Sequence, residues 1–205
     1  MFSSIQTTAF STPLLGKVIF VDPGHGGRDP GTIYGNVLEK DINLEISKAL
    51  EKELTRLGAL VYMTREKDED LSSIYDTKKK RGDLYRRILM ISNKKYNTDL
   101  YLSIHINWYD NSYWKGAEVL YHSINHKNKI LASNILNELK NETGTKRSIK
   151  KTDLYLYKNI RIPGVLIECG FLSNPSERSL LQDKSYQKKI ALAISKGVIN
   201  YFQED

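Results

Sequence analysis

Short apolar runs alternate with stretches of helical periodicity along most of the chain. The apolar runs predict strands at residues 17–21, 59–64, 99–107, 116–122, 153–157 and 165–169. Between them, apolar residues recurring every three or four positions predict helices at 38–57, 81–96, 128–142 and 186–202. Residues 65–80 are polar and predict a loop. This alternation of strands and helices favours an α/β fold around a largely parallel sheet.

The predicted strand at 99–107 shows the clearest alternation. Leu100, Leu102, Ile104 and Ile106 point to one face, whereas Tyr101, Ser103, His105 and Asn107 point to the other. In open parallel sheets, functional residues gather just beyond the carboxyl ends of the strands. The polar residues at the ends of the predicted strands are therefore the first candidates for a site.

The domain organisation is simple. Residues 17–205 predict one catalytic domain, with no internal repeat and no low-complexity linker. Residues 1–16 are rich in Ser and Thr and carry no charge before Lys17, which is consistent with the remnant of an export signal or with a flexible terminus. No apolar run approaches the ~20 residues that span a bilayer, so no transmembrane segment is predicted.

Composition narrows the chemistry. The 205 residues include 31 Lys and Arg against 24 Asp and Glu, a net charge of +7, which suggests an anionic partner such as nucleic acid, an acidic membrane or a wall polymer. One cysteine excludes an internal disulfide framework and a Cys-rich zinc site. The four histidines make any imidazole chemistry easy to enumerate.

Four candidate residues follow or interrupt the apolar runs. His25 lies in the glycine-rich segment Asp22-Pro23-Gly24-His25-Gly26-Gly27, Glu39 opens the first predicted helix, and His105 ends the third strand. Glu168 lies in the apolar run Leu166-Ile167-Glu168-Cys169, where a charge is costly unless it is paired or acts on a metal or substrate. Two histidines and one carboxylate form a three-ligand set for Zn²⁺ that leaves one position open, and a second carboxylate, Glu168, can act as acid and base.

Each of these residues also has a plainer interpretation. A histidine in a glycine loop can serve only as a hydrogen-bonding residue, and Glu39 can serve only to complement a helix dipole. His122 and His126 have helical spacing for a metal, but the intervening residues predict a turn, which disfavours a site there.

Three other functions compete with a metallohydrolase. A cysteine hydrolase would pair Cys169 with His105, but alternation turns Cys169 away from Glu168, so a buried, inert thiol is favoured. A glycosidase would use Glu39 and Glu168 and leave both motif histidines idle. A nucleic-acid binder would use basic runs such as residues 78–81, but the aromatic residues are not interleaved with those runs.

Taken together and in order, the motifs resemble the zinc-dependent N-acetylmuramoyl-L-alanine amidases of the amidase type 3 family. The matching segments are Val21–Gly27, Leu38–Leu44, Thr64-Arg65 with Asp68, Ser103–Asn107, Lys115–Glu118 and Ile167–Asn174, which span about residues 17–203. The resemblance implies a mixed, mostly parallel six-stranded sheet with helices on both faces. It also implies one zinc ion held by His25, Glu39 and His105, with Glu168 as catalytic acid and base.

The resemblance further implies a substrate and a place of action. The family cuts the amide between the lactyl group of muramic acid and L-Ala in peptidoglycan. The chain most resembles the germination-specific amidases of spore formers, which act on cortex before muramic-δ-lactam forms; a vegetative autolysin or cell-separation amidase is the alternative. Such an enzyme is exported to the cell wall or the forespore intermembrane space, and a protein partner can position or activate it.

Two positions bear on substrate contacts. The resemblance favours Asn107 and an arginine at position 86 or 87 as substrate-binding residues, and we take Arg87 as the candidate. After Asn107 the chain carries Trp108-Tyr109, where small residues are common in the family. This departure predicts a cleft wall of a different shape.

Overall fold

The computed structural model describes residues 12–204, along which strands and helices largely alternate. The strands are β1 (Val18–Pro23), β2 (Ile33–Tyr34), β3 (Val37–Leu38), β4 (Leu60–Met63), β5 (Leu100–Asn107), β6 (Glu118–Tyr121), β7 (Lys150–Lys151) and β8 (Gly164–Phe171). The helices are α1 (Glu39–Arg56), α2 (Lys79–Ile91), α3 (Lys127–Thr143), α4 (Tyr155–Lys158), α5 (Pro175–Gln182) and α6 (Lys184–Glu204).

The main sheet has six strands in the order β4-β1-β5-β8-β6-β7, which confirms the predicted fold class. Strands β4, β1, β5 and β8 are parallel, whereas β6 runs antiparallel to β8 and carries β7 beside it. The chain leaves β1 to form β4 on one side and later returns to form β5 on the other. The carboxyl ends of β1 and β5 therefore flank a topological switch point, where open α/β sheets bind ligands.

Two hydrophobic clusters cover the two faces of the sheet. The larger cluster packs helices α1, α3 and α6 against the even-numbered apolar residues of β5, and it also contains Cys169. The smaller cluster joins Tyr101 and Leu166 to side chains of α2 and α4. The alternation predicted for β5 is thus confirmed, and His105 lies on the face of the smaller cluster, beyond the end of its apolar packing.

Local sequence explains where several helices begin and end. At α5, the side chain of Asn174 accepts hydrogen bonds from the backbone N–H groups of Ser176 and Glu177, and Pro175 occupies the first turn. At α1, the chain leaves the helix through Gly58, whose φ of +99° suits a residue without a side chain.

One predicted strand is wrong. Residues 153–157 alternate like a strand, but the structure forms the single helical turn α4, with Leu156 and Tyr157 buried in the smaller cluster. Both residues bury their side chains on one side, which a helical turn permits and a strand does not. The predicted helix at 81–96 also ends earlier, at Ile91, and is followed by a short 3₁₀ turn at Lys94–Tyr96.

The beginning of the described chain packs onto the domain. Leu14 is fully buried in the larger cluster, and its backbone N–H donates to the carbonyl oxygen of Leu57. Residues 1–11 lie outside the described residues, so their assignment to a leader stays a prediction. Within residues 12–204, no helix has the length and apolar character needed to cross a bilayer.

Candidate metal centre

Three predicted ligands meet at the carboxyl edge of the sheet. Ligand atoms of His25, Glu39 and His105 all lie within 4.8 Å of one another. Glu39 Oε1 is central, because it lies 3.2 Å from His25 Nε2 and 3.1 Å from His105 Nδ1. The three residues come from a loop after β1, the start of α1 and the end of β5, so the fold converts three distant positions into one cluster.

The loop after β1 is shaped to present His25. The backbone of His25 is left-handed, with φ of +62°, and Arg87 donates a hydrogen bond of 2.6 Å to its carbonyl oxygen. The neighbouring Gly24 leaves room for the other histidine, since a Cβ atom at position 24 would overlap the imidazole ring of His105. The glycine therefore lets the loop and β5 approach closely enough to share one site.

A shell of hydrogen bonds orients the three side chains. His25 Nδ1 lies 3.0 Å from Asp29 Oδ2, which fixes the ring and directs Nε2 toward the cluster. Both oxygens of Glu39 accept hydrogen bonds: Oε2 from the backbone N–H of Thr32, and Oε1 from the side chain of Asn43 and the backbone N–H of Ile106. These supports were not predicted from the sequence; the only signal for Asp29 is its position four residues after His25.

The side chains of the cluster are strongly coupled. Burial alone lowers the pKa of His25, but its hydrogen bonds and attraction to Asp29 and Glu39 raise that pKa to about 9. Burial raises the pKa of Glu39, yet contacts with His105 and His25 hold it far below its ordinary value. The carboxylate of Glu39 is therefore ionised and lies between two imidazoles, where it favours positive charge.

Glu168 lies beside this cluster on the neighbouring strand, directly opposite His105 in the register of β5 and β8. Part of the residue reaches solvent, but its Oε2 atom is buried and has no hydrogen-bond partner among the described residues. Burial, followed by the negative charges of Glu39 and Glu118, raises the pKa of Glu168 to about 8. A carboxyl group in this state can exchange a proton near neutral pH.

Arg87 supports the site from within the protein. It is 1% exposed and donates to Asp22 Oδ1, to Asp83 Oδ2 and to the carbonyl oxygens of Pro23 and His25. Its guanidinium borders a small cavity of about 230 Å³ beside His25 and His105. These contacts give Arg87 a positioning role, and the substrate contact predicted for it stays a prediction.

A second buried arginine was missed as a site residue. Arg65 is 2% exposed and donates to the carbonyl oxygens of Pro23, Gly24 and Lys40. It therefore ties the loop after β1 to the first turn of α1, which carries Glu39. The sequence marks Arg65 only as part of a family motif and does not show that it points inward.

The remaining candidate residues from the sequence are not part of the metal cluster. Asn107 ends β5, and its side-chain oxygen accepts from the backbone N–H of Trp108. Cys169 is buried in the larger hydrophobic cluster on the opposite face from Glu168, which disfavours the cysteine-hydrolase alternative. His122 Nε2 lies 3.2 Å from Asp153 Oδ1, and in residues 12–204 no metal-binding group includes His122 or His126.

The donor set fits zinc. Two imidazoles and one carboxylate are preferred zinc ligands, and three protein ligands leave an open coordination position, as in catalytic sites. Asp29 supplies the carboxylate that commonly orients a ligating histidine from outside the coordination sphere. Glu168, opposite His105 and outside this set, remains available for proton transfer.

Comparisons with known proteins identify relatives of this chain. The chain is 42% identical over 200 residues to the germination-specific N-acetylmuramoyl-L-alanine amidase of Bacillus subtilis, covering 95% of this chain and 84% of the relative. It is 34% identical over 194 residues to the amidase LytC of the same organism, covering 93% of this chain and 36% of LytC.

Solved structures and a family model give the same result. The CwlD amidase from Clostridioides difficile, determined in complex with the GerS lipoprotein, matches with a TM-score of 0.88 and 40% identity, covering 93% of this chain and all of that one. The family model for N-acetylmuramoyl-L-alanine amidases of type 3 matches residues 19–200. The chain therefore belongs to the amidase type 3 family of N-acetylmuramoyl-L-alanine amidases.

Proposed function

We propose that this amidase acts on spore cortex peptidoglycan with one zinc ion held by His25, Glu39 and His105. The observation that carries the proposal is the convergence of these three side chains beside Glu168, whose Oε2 atom is buried and unpaired among the described residues. Zinc dependence is general in the family. The similarity to a relative named as germination-specific supports the cortex as the substrate.

In the proposed mechanism, three residues hold the metal and a fourth, Glu168, transfers protons. When bound, zinc supplies Lewis-acid chemistry that polarises the scissile carbonyl and lowers the pKa of water. Glu168 takes a proton from the attacking water on its carboxylate and returns it to the departing nitrogen of L-Ala. Burial raises the pKa of Glu168 toward the neutral range, so its carboxyl group can both accept and release a proton within one turnover.

The surrounding residues hold this geometry. Asp29 fixes the ring of His25, and Asn43 holds Oε1 of Glu39. Asn107 ends β5 two residues after His105, its side-chain oxygen accepts from the backbone N–H of Trp108, and we propose that it contacts the substrate.

The test uses cortex peptidoglycan and mass spectrometry. The zinc-loaded chain should release stem peptides that begin with L-Ala, whereas shortened glycans would favour a glycosidase. Glu168→Ala should abolish release while retaining about one zinc ion, because Glu168 is proposed as a base and not as a ligand. His105→Ala should lose zinc in equilibrium dialysis; loss of zinc from Glu168→Ala instead would overturn the assignment of roles.

A vegetative wall role is the second candidate, favoured by the similarity to LytC. The two roles are separated by comparing initial rates on cortex and on vegetative peptidoglycan at equal concentrations of amide bonds. Faster release from cortex supports the proposed role, and faster release from the vegetative wall supports the second.

Two further features belong to the proposal. The enzyme works outside the cytoplasmic membrane, where its polymer substrate lies. It also binds a protein partner, as the matching CwlD structure contains the GerS lipoprotein. We propose no nucleic-acid partner. The net positive charge of the chain instead favours contact with anionic wall material.

A further inference from the structure

Both tryptophans of the chain lie in the loop that follows β5, the strand that carries His105. The loop between β5 and β6 carries Trp108, Tyr109, Tyr113 and Trp114, which we name the aromatic platform. Their exposed fractions are 45%, 41%, 88% and 47%, which is high for large apolar side chains. Clustered exposed aromatic groups of this kind mark binding surfaces.

The platform is held in place by its neighbours. Tyr109 stacks on Phe171 with a centroid distance of 5.8 Å and lies 5.6 Å from Trp114. The guanidinium of Arg147 lies over the rings of Trp114 and Phe171, at 4.8 and 4.5 Å. The rings of Tyr109 and Trp114 are therefore ordered before any ligand arrives, which lowers the entropic cost of binding.

Hydrogen bonds to the backbone of the same loop fix it to the segment after β8 and to Arg147. Asn174 donates its side-chain N–H to the carbonyl oxygen of Ser112, and the backbone N–H of Gly116 donates to Glu177 Oε1. Arg147 Nε donates to the carbonyl oxygen of Lys115. A wide cavity of about 830 Å³ lies along this side and is lined by Trp114, by Arg147 and by further polar groups.

The platform continues directly from the catalytic region. Trp108 follows His105 by three residues, a span of at most about 10 Å. On the other side, Glu118 lies opposite Glu168 in the pairing of β6 with β8, and Arg147 Nη1 is 3.5 Å from Glu118 Oε1. Strand pairing and the contacts of Arg147 therefore link the proposed acid/base to Trp114.

The chemistry of the substrate matches this surface. The amide that the enzyme cuts hangs from a muramic acid, so the adjoining sugars of the glycan must pass close to the cluster. A pyranose ring offers a face of C–H groups and a rim of hydroxyls, which suits an aromatic face bordered by polar side chains. We propose that the aromatic platform, with Arg147, is a subsite for the glycan strand of peptidoglycan. This inference deepens the proposed function, since it names the part of the substrate that the loop binds.

The first test measures binding without catalysis. Because both tryptophans lie on the platform, intrinsic tryptophan fluorescence reports on this loop alone. Peptide-free chains of alternating N-acetylglucosamine and N-acetylmuramic acid should change the emission of the metal-free protein in a saturable way, and free stem peptide should not. The half-saturating glycan concentration should rise about fivefold to tenfold in Trp114→Ala, while Trp108 still reports. A response to the stem peptide, or none to the glycan, overturns the subsite.

The second test measures substrate preference. The ratio of kcat/KM for a glycan chain over that for a single muramoyl-peptide should fall about fivefold to tenfold in Trp114→Ala and in Tyr113→Ala. Tyr75→Ala is the matched control, because Tyr75 is 86% exposed on the loop before α2 and outside the platform. An unchanged ratio in both platform variants overturns the inference and leaves the surface to a protein partner. If the unsubstituted chain releases no L-Ala peptides from cortex, the proposed function fails, whereas the fluorescence result still decides the subsite.

Discussion

Asp22 and Glu168 are two carboxylates on the same face of the sheet, but their surroundings differ sharply. Asp22 accepts hydrogen bonds from Thr64, Ser103 and Arg87, and although burial opposes ionisation, Arg87 and these bonds lower its pKa. Glu168 has a buried oxygen with no partner among the described residues, and its pKa is raised to about 8.

The difference separates a carboxylate that supports the site, Asp22, from one that is proposed to transfer protons, Glu168. Asp22 and Arg87 form a fully bonded pair that holds the loop of His25, so their charges do not change. Glu168 keeps an unsatisfied oxygen, which costs stability but leaves a group that can accept and release a proton. Of these two carboxylates, the one proposed to perform chemistry is the one whose buried oxygen has no partner among the described residues.

The largest expected effect comes from removing Arg87, the ion partner of Asp22. Arg87→Ala leaves Asp22 buried without its ion partner, so urea unfolding of the metal-free protein should show a loss of about 3–5 kcal/mol. Arg87→Lys restores the charge but not the forked hydrogen bonds and should lose less. A loss below about 1 kcal/mol for Arg87→Ala would contradict the comparison.

Substitution of Glu168 should change stability in the opposite direction, by raising the free energy of unfolding. The folded protein binds a proton on Glu168 up to about pH 8, above the ordinary pKa of 4.5, so wild-type stability falls as pH rises between these values. Glu168→Gln does not titrate and lacks this decline. Metal-free Glu168→Gln should therefore gain on the order of a few kcal/mol over wild type at about pH 8.5 and almost nothing at about pH 4.5.

Urea unfolding at several pH values measures this difference. Glu142→Gln, a substitution near the end of α3, controls for the loss of one negative charge from the protein. A stability difference between Glu168→Gln and wild type that does not vary with pH would show that Glu168 titrates normally in the folded state.

A smaller effect is expected where the supported loop meets His105. Gly24→Ala places a methyl group against the imidazole ring of His105 and should displace that ligand. We expect zinc affinity to fall by about tenfold to a hundredfold, comparable to losing an orienting contact, in competition with a chelator. Gly35→Ala is the control, because a Cβ atom there meets nothing within 4 Å, although its φ of +57° adds backbone strain without a clash. A loss of affinity in Gly24→Ala no larger than in Gly35→Ala would contradict this steric cause.

The smallest effect on activity is expected at Cys169, next to Glu168 in sequence. Burial raises the pKa of the Cys169 thiol well above its ordinary range, so the group is not a nucleophile. Cys169→Ser should lose about 1–2 kcal/mol of stability but retain turnover within about twofold. Loss of turnover in a folded, zinc-loaded variant would revive the thiol mechanism.

Much of the fold was predictable because its signals are local. The alternation in β5 predicted that His105 and Ile104 lie on opposite faces of the sheet, and the structure confirms this. The strand predicted at 153–157 failed because alternation in so short a run cannot distinguish a strand from the turn α4. Helix α5 was missed, although Asn174-Pro175 is a recognisable helix start.

The site was only partly predictable. No local pattern indicated that Asp29 would support His25 or that Arg65 would bind the loop carbonyls from within. Charged residues are ordinarily exposed, so an inward-pointing arginine is recognised only once its acceptors are seen. The choice between Arg86 and Arg87 shows the same limit. Two adjacent arginines on a helix differ only in the direction in which their side chains point, and that direction is set by packing.

By itself, the sequence determined the alternating strands and helices, the residue types able to bind zinc and the motifs that resemble the family. Only the tertiary structure decided which groups meet, because strand pairing joins residues far apart in the chain. Ser103 and Asp22, for example, are 81 positions apart and share a hydrogen bond of 2.7 Å. The same pairing brings Glu168 beside His105 while its buried oxygen finds no partner among the described residues, an outcome that depends on contacts between distant segments.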